Sequence, residues 1–270
     1  MSSSPTGTAA APSTDAVEIR VSRRGSGPPT IVLPGIFGID GRSEAFDALA
    51  DASTVIVTTH PGFGDSPRPA WCDSIDDLVL AYLDLVEREE LTDVTLVGCC
   101  IGGWIAAEIA VLRPAWLSRL ILVDSLGLRA GGTEDRDFAD IFAMTLAEIR
   151  ALAFVDQGLA ETHLGTEGRP VEEVLEIARN QEATAVYGWQ PYLHNPKLHR
   201  RLGRVRVPTL VVWGERDGIA QPRVGRALAE AIPGARFASI PGAGHLPHLE
   251  QPSAFTRLVR DFSGRVEPRD

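Results

Sequence analysis

Five short runs of β-branched and aliphatic residues, at 30–33, 54–58, 94–97, 120–123 and 210–213, restrict what this chain can fold into more than any other feature. Each run is apolar at nearly every position rather than at alternate ones. A strand built from it must therefore be buried on both faces, as the central strands of a parallel sheet are. Between the runs lie stretches with a helical period. Residues 76–89 carry Val79, Tyr82, Leu83 and Val86 on one face, and residues 103–112 carry Ile105, Ala106, Ile109 and Leu112. A repeated alternation of buried strand and amphipathic helix predicts an α/β chain with a mostly parallel, doubly wound sheet.

The alternation stops after Val123. Residues 126–203 show helical patterns, at 138–154 and 171–187, and no strand; strand-like sequence resumes near 207 and at 236–240, before a last helix over 253–262. A helical insertion between two strands of one sheet covers the carboxyl edge of that sheet as a lid. The expected organisation is a disordered tail over 1–16, a core formed by 17–125 and 204–270, and a helical cap over 126–203. With 270 residues, 44% of them hydrophobic, the chain can bury one core of that size.

The run 94–97 is followed by Gly98-Cys99-Cys100-Ile101-Gly102 and then by the helical stretch. A strand that turns into a helix within so few residues forces its central residue into a strained conformation, and glycines flank it because side chains there would strike neighbouring elements. Cys100 is thereby pushed above the sheet with its sulfur at a helix N-terminus, where the dipole favours an anion, and Cys99 points down into the scaffold. Two later loops offer partners. Asp217 lies in Gly214-Glu215-Arg216-Asp217-Gly218 directly after one strand, and His245 lies in Pro241-Gly242-Ala243-Gly244-His245 directly after the next. Nucleophile, acid and histidine thus occur in one chain order, each at a strand end.

On these residues the sequence resembles the capped α/β-hydrolase family over nearly everything after the tail. Two more motifs carry the resemblance: Leu33-Pro34-Gly35-Ile36-Phe37-Gly38, similar to the family's oxyanion loop, and His60-Pro61-Gly62-Phe63-Gly64-Asp65-Ser66, similar to its Pro-Gly-x-Gly-x-Ser turn. The resemblance implies an α/β-hydrolase fold with a helical lid. It makes Cys100 the nucleophile, His245 the general base and later acid, Asp217 the residue that orients the histidine, and the N–H groups of Ile36 and Ile101 the oxyanion hole. Asp124 competes for the acid role, because some members use that strand end. The chain departs from the family pattern in two places. Pro34 stands where the family usually has histidine, which changes how the loop is held. Cys100 stands where serine is usual; dienelactone hydrolases resemble this chain in that respect, and a serine replaced in the laboratory to trap an acyl-enzyme would read the same. An acyl-cysteine can be discharged by water or passed to an amine or thiol.

Other residues take plainer readings. Three cysteines are too few for a disulfide framework and lack zinc spacing, so Cys72 and Cys99 read as small buried hydrophobes. His248 reads as structural, and His60, His194 and His199 as surface or lid residues. Phe37, Trp104 and Trp189 are candidates to line an apolar acyl pocket. A net charge of −10 without a basic block disfavours nucleic acid and anionic membrane surfaces, and no signal or spanning segment is evident, which suggests a cytoplasmic protein. No Gly-rich phosphate loop is present, so neither an organic cofactor nor a metal is expected. The expected partner is a small-molecule substrate, and composition does not set the oligomeric state. Three functions remain open: an acyl hydrolase or acyltransferase working through Cys100, a lyase, C–C bond hydrolase or cyclase using His245 as acid or base, and a ligand-binding protein.

Overall fold

The computed structural model describes residues 17–132 and 135–264. The tail expected over 1–16 lies outside the described residues. Seven strands form one sheet: β1 (Arg20–Arg24), β2 (Pro29–Leu33), β3 (Thr54–Thr59), β4 (Val94–Cys99), β5 (Leu117–Val123), β6 (Thr209–Gly214) and β7 (Arg236–Ile240), in the order β1-β3-β2-β4-β5-β6-β7. Every pairing is parallel except β1 with β3. The chain builds outward from β2 to β3 and then returns to place β4 on the other side of β2. The sheet therefore changes direction between β2 and β4, and the loops leaving their carboxyl ends diverge to leave a crevice, the usual ligand site of such sheets. The loop 34–40 and Cys100 flank that crevice.

Among the described residues there are ten α-helices: α1 (Glu44–Leu49), α2 (Ile75–Arg88), α3 (Ile101–Leu112), α4 (Leu146–Ala153), α5 (Gln157–Leu164), α6 (Val171–Gly188), α7 (Leu198–Leu202), α8 (Pro222–Ala231), α9 (Pro247–Glu250) and α10 (Pro252–Gly264). Local chemistry sets several starts. Ser74 and Asp77 close a capping box on α2, and Thr145 and Glu148 close one on α4. The second box explains why the helix expected from 138 begins only at Leu146. Upstream, Ala139 N–H donates to Ile219 C=O at 2.8 Å and Phe138 bridges to Ala220, which ties that stretch to the loop after β6. Helix α3 is buried on nearly every face, although Leu112, expected on its apolar side, is exposed.

Two hydrophobic clusters lie on opposite faces of the sheet. Leu96, Leu120, Leu122 and Cys100 belong to the larger one with α2 and α3, while Val97, Cys99, Ile121 and Val123 belong to the other, with Phe46 of α1 and Phe255 of α10. The two adjacent cysteines are thus divided between the faces. Between β5 and β6 the described residues hold α4 to α7 and no strand. Among the described residues no helix is long and apolar enough to cross a membrane.

Candidate functional site

Cys100 stands between β4 and α3 with φ 52° and ψ −116°, a conformation L residues rarely take. Four backbone bonds hold it there: its N–H donates to Val123 C=O at 2.9 Å, and its C=O accepts from Gly103 N–H at 3.0 Å, Leu126 N–H at 3.1 Å and Trp104 N–H at 3.3 Å. The flanking glycines are required by contact. A Cβ on Gly98 would lie 2.4 Å from the Gly102 carbonyl oxygen, and one on Gly102 would lie 2.3 Å from the Leu33 oxygen. Gly98 lies too close to the start of α3, and Gly102 too close to the end of β2, for a side chain at either position.

His245 and Asp217 meet in the buried space at the ends of β6 and β7. His245 Nδ1 lies 2.8 Å from Asp217 Oδ2, and both side chains are essentially without solvent contact. The other oxygen, Asp217 Oδ1, accepts the N–H groups of Ile219 (2.8 Å) and Ala220 (3.0 Å), so the carboxylate is locked in orientation by its own loop. Trp213 reinforces that loop by donating Nε1–H to Ala220 C=O at 3.0 Å. The histidine loop is tied to the helical segment above it: His245 N–H donates to Ala153 C=O at 2.7 Å, and Glu250 accepts the N–H groups of Gly244, Val155 and Asp156. Burial alone would strip the proton from the His245 ring, but Asp217 and then Cys100 outweigh it and hold the ring's pKa well above its ordinary value. His245 Nε2 is buried without a hydrogen-bond partner of good geometry among the described residues.

Asp124, at the end of β5, shares this space. Donor atoms of Asp124, Asp217 and His245 lie within 4.8 Å of one another. Asp124 Oδ1 accepts Gly214 N–H at 2.9 Å, and Oδ2 has no partner. Burial, with the Asp217 carboxylate next to it, pushes the pKa of the Asp124 carboxyl well above the carboxylate range. The direct bond to the imidazole is made by Asp217.

The loop after β2 approaches from the other side. A Cβ on Gly35 would come within 2.9 Å of Cys100 Cβ, so loop and nucleophile turn are in van der Waals contact. The N–H groups of Ile36 and Ile101 make no hydrogen bond among the described residues. Beyond them opens a cavity of about 920 Å³ lined by Ile36, Phe37, Ile141, Phe142, Met144, Ile149, Val186 and Trp189, with Gln181, Glu182 and Gln190 among its polar lining. Phe37 and Trp189 line this cavity. Trp104 does not: it is buried against Glu108, with Nε1–H donating at 3.4 Å, and lines a separate recess of about 210 Å³.

His60 also departs from expectation. It directly follows β3, is fully buried, and has Nε2 2.9 Å from Pro34 C=O and Nδ1 2.6 Å from Tyr82 Oη, whose oxygen is 2.9 Å from Thr58 Oγ1. Burial lowers its pKa to about 4, so the ring is neutral and donates from Nε2 to the Pro34 carbonyl. His194 is half-buried and His199 exposed. Asp40 has no sequence signal at all, yet its carboxylate accepts Gly35 N–H at 2.7 Å and lies 3.1 Å from His248 Nε2. Burial works to raise the Asp40 carboxyl, but the His248 contact and the Gly35 N–H prevail and hold it below the usual range.

Residues 28–252 match the family model of the alpha/beta hydrolase fold. A putative carbamate hydrolase, RutD, of Azorhizobium caulinodans is 26% identical over 259 residues, covering 90% of this chain and 94% of that protein. A pimeloyl-[acyl-carrier protein] methyl ester esterase of Neisseria meningitidis is 27% identical over 214 residues, covering 75% of this chain and 65% of that protein. Among solved structures, a thermophilic esterase from Thermogutta terrifontis superposes with a TM-score of 0.76 at 23% identity, over 95% of this chain and 97% of that one.

Proposed function

The chain belongs to the α/β-hydrolase fold family, and on that premise we propose that it is a hydrolase that opens a small apolar ester, lactone or thioester through a covalent acyl-Cys100 intermediate. The reading is carried by one observation: the buried contact of His245 with Asp217, together with the strained Cys100 whose charge the same imidazole feels. A ring whose pKa is raised by a neighbouring carboxylate and thiol is suited to take the thiol proton and form an imidazolium–thiolate pair.

In this mechanism the Cys100 proton passes to His245 Nε2 and the sulfur attacks the substrate carbonyl carbon. The carbonyl oxygen becomes an oxyanion and accepts the unpaired N–H groups of Ile36 and Ile101. Collapse breaks the bond to the leaving group, which takes the proton from His245. Water then enters, gives a proton to His245 as it attacks the thioester carbon, and the second collapse returns Cys100 with the acid as product. Asp217 keeps Nδ1 protonated throughout, so that Nε2 is the atom that exchanges protons. The acyl chain lies in the apolar cavity between Ile36, Phe37 and Trp189. A carbamate hydrolase and a methyl ester esterase among the relatives support chemistry at an acyl carbon.

The test is steady-state turnover of a panel of short esters, lactones and acyl thioesters by Cys100→Ala and His245→Ala. Loss of turnover in both supports the reading. Turnover that survives Cys100→Ala and disappears in His245→Ala overturns the acyl-cysteine and points to acid–base chemistry in the same cavity.

A further inference from the structure

The second cysteine of the pair has its own histidine and carboxylate. Donor atoms of Cys99, His248 and Asp40 lie within 4.8 Å of one another, and all three residues are buried. They sit beneath the oxyanion loop, and Cys99 packs on the opposite face of the sheet from Cys100. We propose that Asp40 and His248 are positioning residues for the oxyanion hole: they fix Gly35, and through it the Ile36 N–H, against Cys100. This rests on the role proposed above for Ile36.

The geometry supports the role at each link. Asp40 opens the 3-10 turn Asp40–Arg42 and reaches back to accept Gly35 N–H at 2.7 Å. Its second oxygen is 3.1 Å from His248 Nε2, a close contact rather than an aligned hydrogen bond. His248 is itself immobilised: its ring packs against Phe46 and Phe255, with centroids at 5.4 and 5.8 Å, and its carbonyl accepts the Ser43 hydroxyl. His248 lies three residues beyond His245, so the chain that supplies the catalytic imidazole also braces the oxyanion loop. From the opposite side His60 donates to Pro34 C=O. One peptide N–H and the neighbouring carbonyl of the same loop are thus gripped by two buried side-chain groups. The loop has no slack in which to absorb a loss, because Gly35 already touches Cys100. This arrangement also accounts for Pro34 where a hydrogen-bonding side chain is usual: the loop is held through its backbone by Asp40 and His60. An oxyanion hole works only if its donors stand where the charge will develop, so small displacements of Ile36 N–H slow the steps that form an oxyanion and no others.

That selectivity provides the test. In the full-length protein, two single-turnover reactions of Cys100 are timed by intact mass and peptide mapping. In the first, a short-chain p-nitrophenyl ester acylates the sulfur: a C–S bond forms, the ester C–O bond breaks through a tetrahedral oxyanion, and p-nitrophenolate leaves. In the second, methyl methanethiosulfonate thiomethylates it: an S–S bond forms, methanesulfinate leaves, and no oxyanion arises at a carbonyl. Asp40→Ala is expected to slow acylation roughly 10- to 100-fold and thiomethylation by less than about twofold, and Asp40→Asn, whose amide oxygen can still accept Gly35 N–H, to recover much of the acylation rate. Acylation at the wild-type rate in Asp40→Ala, or equal slowing of both reactions, overturns the proposal. If Asp40→Ala does not fold, His248→Ala carries the same comparison, with acylation alone slowed about fivefold. A wild-type protein that is thiomethylated at Cys100 but acylated by no ester contradicts the function proposed above, a different outcome from either of these.

Discussion

Replacing Asp217 by asparagine should cost far more than the loss of one charge, because the surrounding loop decides how the amide must sit. Asp217 Oδ1 accepts two backbone N–H groups, from Ile219 and Ala220, while Oδ2 faces His245 Nδ1 at 2.8 Å. If the asparagine NH₂ turned toward the loop it would face two donors and forfeit two buried hydrogen bonds, at ~1–3 kcal/mol each. The oxygen therefore stays with the loop and the NH₂ points at the imidazole. Nδ1 must then accept, which moves the ring proton to Nε2, the atom that should receive the proton of Cys100. Inverting the tautomer in this way lowers turnover by about 10⁴-fold in enzymes with this arrangement. Here the loss should be somewhat smaller, on the order of 10³-fold, since Asp124 lies close by and the pKa of its carboxyl is raised partly by the Asp217 charge. Once that charge is gone, Asp124 can ionise and restore part of the field. The assay is the burst of p-nitrophenolate from a short-chain ester, with circular dichroism to establish folding. Asp217→Asn with Asp124→Asn should fall below Asp217→Asn alone. An Asp217→Asn enzyme within a few-fold of wild type, with Asp124→Asn inactive, would refute the argument and make Asp124 the acid.

Three further outcomes follow from the same structure. Gly102→Ala places a Cβ 2.3 Å from the Leu33 oxygen, backbone that cannot move aside, and should destabilise the protein by ~2 kcal/mol or more in chemical denaturation. Trp189→Ala should raise KM for esters of longer acyl chains about fivefold and leave kcat unchanged, since the ring lines the cavity but remains 60% exposed and contributes only part of its area; an unchanged KM across chain lengths would place the acyl chain elsewhere. The neutral His60 makes stability depend on acid. The unfolded chain takes up this proton near 6.5 and the native protein only near 4, so the contribution is complete above about 6.5 and is lost as pH falls toward 4. That interval corresponds to ~3 kcal/mol, and urea unfolding of His60→Gln beside wild type should show a shallower decline across it.

The strands buried on both faces were legible because their apolar runs have no polar alternation to confuse with a helix, and the turn around Cys100 was legible because its glycines are demanded by local contact. Strand β1 was not. It is an edge strand reading Arg-Val-Ser-Arg-Arg, half exposed, and takes its place by pairing antiparallel with β3. Helix α8 starts at Pro222, directly after the loop that bears Asp217, and buries only Val224, Gly225 and Leu228, a short apolar stripe that is weak in the sequence. At the site, Cys100, Asp217 and His245 could be named from strand-end position. Asp40 and His60 could not, because each bonds a backbone group of the loop after β2, Gly35 N–H and Pro34 C=O, and no spacing in the chain records such a contact. Trp104 misled for a related reason: its nearness in sequence to Cys100 gives no information on which side of α3 it leaves.

The central claim is that Cys100 carries the acyl group, and the most direct measurement is intact-protein mass with peptide mapping after mixing with a short-chain p-nitrophenyl ester and quenching in acid. An acyl increment on the peptide containing Cys100, absent in Cys100→Ala and persisting longer in His245→Ala once formed, is the predicted result. Ester consumed at the wild-type rate by Cys100→Ala, or an adduct found on another residue, contradicts it.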